Sequence, residues 1–165
     1  MPRAGSRLHN HITIDETLAA CTTVLSGWNQ GAGVETDELL HATRSAIRIV
    51  RNLHPEDAIR LVSMVALACR PEVPAIACHL HALRSNQALR WSTHETALSE
   101  ALAGRTLAIT SLLEAEVSLC SSFAGSICQR MGRFDEAARW FDEALVAARR
   151  CSDSGLEAAA LSNRG

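Results

Sequence analysis

The 165-residue chain contains no tyrosine and no lysine, and aromatic residues make up only 4% of it. Aromatic and β-branched side chains are the ones that favour strands, so their scarcity argues against a β-sandwich or a β-barrel. Alanine and leucine supply most of the 47% of residues that are apolar, and both favour helices. We therefore expect an all-α protein.

Long apolar runs and a strong charge of one sign are also missing. No stretch approaches the roughly 18 apolar residues of a membrane-spanning helix, and residues 1–10 lack the apolar segment of a signal peptide. The formal net charge is −2, and all 16 basic residues are arginine. A chain without a basic field does not favour nucleic acid or an anionic membrane. We expect a cytoplasmic protein that binds neither.

The cysteines form no closely spaced pair and lie mostly in apolar, helix-like stretches. They are Cys21, Cys69, Cys78, Cys120, Cys128 and Cys151. Two of them, Cys120 and Cys128, share a helix face but would lie about 12 Å apart along it, too far for a disulfide. Reduced thiols of a cytosolic protein that serve for packing are the simplest interpretation.

A zinc site is the alternative, because Cys69, Cys78, His79 and His81 lie near one another in the sequence. Zinc needs four convergent ligands. On a helix, however, His79 and His81 point about 200° away from each other. We therefore predict buried thiols with surface imidazoles, and neither a metal nor a cofactor.

Apolar periodicity, together with capping and turn residues, predicts a succession of amphipathic helices. They cover residues 14–28, 36–52, 55–70, 73–90, 92–110 and 134–150, with another helix ending at Gly132 and a last one beginning at Ser154. Ser92 with Glu95, and Ser154 with Glu157, have the spacing of capping boxes. We expect residues 1–33 to form an N-terminal segment with one weak helix and a flexible joint, and residues 34–165 to form a helical array.

A small residue recurs at a fixed spacing along this array. When the second helix of each predicted pair is superposed, Ala58, Ala97 and Ala137 coincide, at separations of 39 and 40 residues. A closed four-helix bundle is the alternative arrangement, but it gives no reason for a repeated small residue. A solenoid does, because the same close helix crossing recurs in every unit.

Residues 125–145 resemble a tetratricopeptide repeat. Gly125, Ala137, Phe141 and Ala144 occupy the small, small, aromatic and small positions of that family's signature. The chain departs from the pattern at Cys128, where a larger residue is usual, and it lacks the terminating proline. The resemblance implies a right-handed solenoid of about three repeats with an incomplete C-terminal one. On this register Phe141 is buried, whereas its neighbour Trp140 is at least partly exposed.

The spacing of about 40 residues is similar to the longer repeats of bacterial signalling and regulatory proteins, some of which precede diguanylate cyclase domains. Residues 156–165 resemble the opening of one more repeat. We therefore expect this chain to be the N-terminal part of a longer bacterial signalling protein. We also expect self-association through its C-terminal end, on the face that contains Leu156 and Ala160.

The sequence contains no motif of a hydrolase, a metalloprotease or a nucleotide-binding loop. The adjacent acids Asp135 with Glu136, and Asp142 with Glu143, read as solvated pairs on helix surfaces and not as facing catalytic carboxylates. The sequence therefore predicts a protein that is not an enzyme.

Three arginines, Arg51, Arg90 and Arg130, occupy equivalent positions near the ends of three successive first helices. In tetratricopeptide folds that helix lines the concave groove, so the resemblance places them there with Asn86 and Gln129. Guanidinium groups bind carboxylates in a fork, which suits a protein or an acidic peptide as partner. A small anionic ligand of a sensor domain is the second hypothesis. The alternative is that the helix dipole alone favours arginine at these helix ends.

Overall fold

The computed structural model describes residues 13–164, and this part of the chain contains helices but no strand. The α-helices are α1 (Ile14–Asn29), α2 (Thr36–Ile49), α3 (Pro55–Ala68), α4 (Pro74–Trp91), α5 (His94–Thr110), α6 (Glu114–Arg130), α7 (Phe134–Arg150) and α8 (Ser154–Arg164). A short 3-10 helix, Val50–Asn52, continues α2. The all-α expectation is confirmed for the described residues. The expectation that residues 1–10 hold no signal peptide lies outside them.

None of the helices within residues 13–164 combines the length and the apolar character needed to cross a bilayer.

The N-caps of two helices each lie one residue away from the position predicted from the sequence. The cap of α5 is Thr93, whose hydroxyl accepts from the Thr96 amide at 3.1 Å, because Thr93 has the extended backbone of an N-cap. At α8 the cap is the Asp153 carboxylate, which accepts from the Leu156 amide at 3.0 Å. The capping boxes expected at Ser92 and Ser154 were therefore wrong. The start of α1 does have a capping box, between Thr13 and Glu16, which was not predicted from the sequence.

The same three-residue turn connects α5 to α6, α6 to α7 and α7 to α8. Its middle residue has a positive φ each time: 58° at Leu112, 75° at Gly132 and 55° at Ser152. In all three turns the amide of the third residue donates to the carbonyl five residues earlier. Such short turns return the chain on itself, so consecutive helices in this half of the chain pack as antiparallel neighbours.

The packing follows two rules along the chain. From α4 to α8 each helix packs against the next one, and the even-numbered helices also pack against each other, α2 on α4, α4 on α6 and α6 on α8. The core continues from helix to helix, with one large cluster centred on α1 to α4 and a second between α4 and α7. These contacts bring one face of every even-numbered helix to the same side of the molecule.

Helix α1 lies against both α2 and α3. Leu25 is completely buried in the same cluster as α2, α3 and α4. The indole of Trp28 donates to the Ala68 carbonyl at 3.1 Å, and the amide of Asn29 donates to the Met64 carbonyl at 3.2 Å. The antiparallel hairpin expected between residues 36–52 and 55–70 is therefore not closed, because α1 packs against both helices. The connection between α2 and α3, residues 50–54, is longer than the later turns and allows the two helices to lie apart.

The residues that suggested the repeat are packed as predicted. Ala58 and Ala97 are completely buried and Ala137 is 3% exposed, as expected of small residues packed between helices. Phe141 is buried and Trp140 is half-buried, as the register requires. A Cβ atom at Gly125 would lie 2.6 Å from the ring of Phe141, so this contact needs a glycine.

The C-terminal end presents a different face from the one expected. Ala160 is completely buried against Ala144 and Leu145 of α7, and Leu156 is half-buried. The large apolar side chain that α8 exposes is Leu161. Self-association through this end stays a prediction, but Ala160 is not available for it.

Candidate ligand-binding groove

A groove of about 640 Å³ runs along the side on which the even-numbered helices meet. Helices α2, α4, α6 and α8 all contribute to it. Its lining consists of Arg44, Ile47, Arg48, Arg51, Asn86, Ala115, Leu119, Phe123, Asp153, Gly155, Leu156 and Ala159. The groove is therefore cationic along its α2 wall and largely apolar along α6 and α8, apart from Asp153, whose carboxylate caps α8.

Three arginines make up the cationic wall. Arg44, Arg48 and Arg51 are spaced by four and three residues, so they lie on one face of α2 and the 3-10 helix that continues it. Arg44 pairs with Glu116 at 2.9 Å. Arg48 and Arg51 are exposed and form no ion pair with any residue that the structure describes. Two guanidinium groups are thus available to an anion.

The residues predicted from the sequence divide between the groove and other places. Arg51 and Asn86 line the groove. Arg90 does not, because its guanidinium donates to the carbonyls of Arg51 and Leu53 and stacks 4.8 Å from the ring of Trp91. It holds the end of the 3-10 helix in place.

The other two predicted residues, Gln129 and Arg130, are exposed at the end of α6 and do not line the groove. Arg44 and Arg48 were not predicted from the sequence. The signal that could have found them is the spacing of four and three residues along one helix, whereas the prediction rested on arginines at equivalent positions of different repeats.

Asn86 has a structural part at the floor of the groove. Its side-chain amide donates to the Ile47 carbonyl at 2.6 Å, and the residue is only 5% exposed. This bond links α4 to α2 at the end of α2, where a helix leaves backbone carbonyls without partners. Asn86 therefore shapes the floor and positions the cationic wall.

Behind the groove, a buried polar network joins α2, α4 and α6. Nε2 of His79 donates to the carboxylate of Glu116 at 3.2 Å, and Nδ1 lies 2.6 Å from the hydroxyl of Thr43. His79 is completely buried and Thr43 is 1% exposed. Arg44 donates to the same Glu116 oxygen from the groove side. Hydroxyl, imidazole and carboxylate in this order also occur in hydrolases, but here the hydroxyl is sealed from any substrate.

The charge of Glu116 depends on its two partners. Burial alone would raise the pKa of this carboxyl, but the hydrogen bonds from His79 and Arg44, together with the positive charge of Arg44, outweigh burial and lower it. Glu116 is therefore a carboxylate at neutral pH, and its ion pair with Arg44 fixes the position of that side chain in the cationic wall.

The buried thiols of Cys78 and Cys120 lie near Glu116 but stay in the neutral form. Burial, with a smaller contribution from Glu116, raises the pKa of Cys78 to about 12, and burial also raises the pKa of Cys120. His81 pairs with Glu100 of α5 at 2.7 Å, so the two histidines of α4 have different partners. Within residues 13–164 no three His, Cys, Asp or Glu side chains are grouped so that they could hold a metal ion.

Comparisons of the chain with protein-family models, with curated proteins and with solved structures found no match.

Proposed function

We propose that this chain is a non-catalytic interaction module, a tetratricopeptide-like solenoid that binds an acidic segment of a partner protein in its groove. One observation carries this proposal. Arg48 and Arg51 present two guanidinium groups, unpaired among the described residues, opposite an apolar surface. Positive charge beside apolar surface suits a peptide in which acidic and apolar side chains alternate.

The packing of the helices supports the solenoid. Each even-numbered helix packs on the next even-numbered one, while α5 and α7 each pack between two of them. The repeated turns at Leu112, Gly132 and Ser152 support a structural unit that recurs. The contact of Gly125 with Phe141 is the small-to-aromatic packing that the resemblance implies.

The dimensions of the wall support a peptide ligand. Side chains three residues apart on a helix have Cβ atoms about 5–6 Å apart, and alternate side chains of an extended peptide are about 7 Å apart. One peptide can therefore bring two carboxylates to Arg48 and Arg51 while the apolar side chain between them faces Leu119, Phe123 and Leu156. Because both arginines are exposed, added salt screens the attraction.

The test compares two labelled synthetic peptides, Glu-Leu-Glu-Leu-Glu and its glutamine counterpart, by fluorescence anisotropy at low and high salt. We expect the acidic peptide to bind more tightly and to lose affinity as salt rises. Arg48→Ala and Arg51→Ala should each weaken binding several-fold to about a hundredfold, as for a charge-assisted hydrogen bond. Arg139→Ala, on the exposed surface of α7, serves as the control and should change nothing. Equal binding of both peptides at both salt concentrations would contradict the proposal.

A small anionic ligand is the second candidate, because a groove of about 640 Å³ also falls within the range of small-molecule sites. Thermal unfolding separates the two candidates. A sensor gains stability with small mono- and dicarboxylates according to their affinity, whereas a docking module gains stability only with the peptide.

A further inference from the structure

Arg44 connects the groove to the buried network behind it. Its side chain is 43% exposed and lines the groove, while its Nη2 lies 2.9 Å from a carboxylate that is 6% exposed. A negative charge that binds beside Arg44 therefore acts on Glu116 through one side chain. Water is nearly excluded from the far side of this contact, so the electrostatic effect is weakly screened.

The network can hold two protonation states without moving its heavy atoms. The Thr43 hydroxyl has one proton and two acceptors within reach, Nδ1 of His79 at 2.6 Å and the Leu40 carbonyl at 3.1 Å. When it donates to Nδ1, the imidazole is neutral and its proton is on Nε2, facing Glu116. When it donates to Leu40, Nδ1 carries a second proton and donates to Thr43. Every group is satisfied in both states.

Few other charges reach this network. The helix α2 contributes Arg44, α6 contributes Glu116 and the Cys120 thiol, and α4 adds the Cys78 thiol. The raised pKa values of both thiols keep them neutral. The acid that α5 turns toward α4, Glu100, pairs with His81 instead.

We infer that an acidic ligand in the groove makes the buried network of Thr43, His79 and Glu116 take up a proton, so that the groove binds acidic ligands more tightly as the pH falls. This inference rests on the proposed function. A ligand carboxylate beside Arg44 offsets the positive charge that stabilises Glu116, and a proton on the His79–Glu116 pair replaces that charge. The coupling is reciprocal, so added protons must strengthen ligand binding. Uptake of one proton changes affinity by at most about tenfold per pH unit.

Isothermal titration calorimetry with the Glu-Leu-Glu-Leu-Glu peptide tests this coupling. Titrations at neutral pH in phosphate and in Tris, which differ in ionisation enthalpy, give the number of protons exchanged. We expect wild-type protein to take up a fraction of a proton per peptide, and to bind several-fold more tightly near about pH 6 than near about pH 8.

Two histidine variants on the same helix form a matched pair. In His79→Gln the amide can still donate to Glu116 and accept from Thr43 but cannot titrate, so we expect binding without proton uptake. His81→Gln removes the imidazole that pairs with Glu100 outside the network, so we expect wild-type uptake. If His79→Gln does not fold, Arg44→Gln takes its place. It removes the connecting charge and should bind the peptide more weakly and with no uptake.

Each outcome decides between the claims. Peptide binding to the wild type without proton uptake overturns the coupling and leaves the proposed function standing. Uptake that persists in His79→Gln, or in Arg44→Gln where that variant replaces it, or that disappears in His81→Gln, overturns the assignment to this network. No binding at any pH overturns both the function and the coupling.

Discussion

At the scale of single residues, the three repeated turns differ in how well the middle residue tolerates its positive φ. Leu112 and Ser152 have positive φ values of 58° and 55°, in the left-handed region that glycine adopts freely, and the third turn has Gly132 there. Leu112 is also 89% exposed, so its side chain gains little from burial. Its conformation costs about 1–2 kcal/mol relative to an ordinary helical one.

Leu112→Gly should therefore raise the free energy of unfolding, by up to about 1 kcal/mol once the extra entropy of glycine in the unfolded chain is subtracted. Urea denaturation measures the change. Leu113→Gly is the control, because Leu113 is half-buried with φ −103° and should lose stability. A Leu112→Gly variant as unstable as the control would contradict the argument.

The contact between Gly125 and Phe141 makes the second prediction at this scale. An added Cβ would lie 2.6–2.7 Å from carbons of the aromatic ring, in a core with no room for it. Gly125→Ala should cost about 1–3 kcal/mol of stability through overpacking. Gly155→Ala is the control, since its Cβ would meet only a carboxylate oxygen of Asp153 at 3.2 Å.

A double-mutant cycle separates the steric contact from helix propensity. Phe141→Leu replaces the aromatic ring by a smaller side chain. Gly125→Ala should therefore lower the free energy of unfolding less in that background than in the wild type. Strictly additive losses would mean that the two residues do not meet as the structure places them.

At the scale of elements, Glu116 ties three helices together. Its carboxylate accepts from Arg44 of α2 and from His79 of α4, and it belongs to α6. Glu116→Gln keeps the shape but removes the charge, and should cost about 1–3 kcal/mol at neutral pH. Glu143→Gln is the matched control, because Glu143 pairs with Arg105 but is 29% exposed and should lose less.

The pH dependence of this loss follows from the lowered pKa of Glu116. A depressed pKa contributes stability that is fully present above the unfolded value of about 4.3 and is lost as the pH falls through the folded value. The difference between wild type and Glu116→Gln should therefore shrink as the pH falls below about 4.3. Urea titrations over this range measure it, and a constant difference would exclude a charged Glu116.

At the scale of the whole molecule, the core is uneven along the chain. The clusters between α1 and α7 are large, whereas α8 is held by a small one of Ala144, Leu145 and Ala160 and by an exposed ion pair of Arg149 with Glu157. Among the described helices, α8 packs mainly against α7 and α6, whereas α6 packs against α4, α5, α7 and α8. The end at α8 should therefore open at a lower free energy than the middle.

Hydrogen exchange should show this gradient. The amides of α8 should exchange faster than those of α5 and α6 under native conditions, with mass spectrometry resolving each helix. A second measurement with the acidic peptide bound serves as a control. Leu156 and Ala159 of α8 line the groove, so the peptide should slow amide exchange there. Equal protection of α8 and α5 without ligand would show instead that the packed helices unfold as one unit.

The helices and much of their core could be read from the sequence, because they depend on local patterns. Apolar periodicity placed most helix ends within a few residues, and the repeated alanines at 58, 97 and 137 are buried where the register requires. Caps were less predictable, since Ser92 and Thr93 are both capping residues and only the backbone conformation chooses between them.

The groove was decided by tertiary structure. Equal sequence positions near three helix ends do not make Arg51, Arg90 and Arg130 into one wall of the groove, because Arg51 lines it, Arg90 donates to backbone carbonyls beside it, and Arg130 lies outside its lining. Arg90 meets free carbonyls at the end of the 3-10 helix, and Arg44 meets a buried acid 72 residues away in the chain. A sequence determines which side chains share a face of one helix, since that depends on the helical repeat alone. Which faces meet depends on how every helix packs against the others, and that arises only in the folded chain.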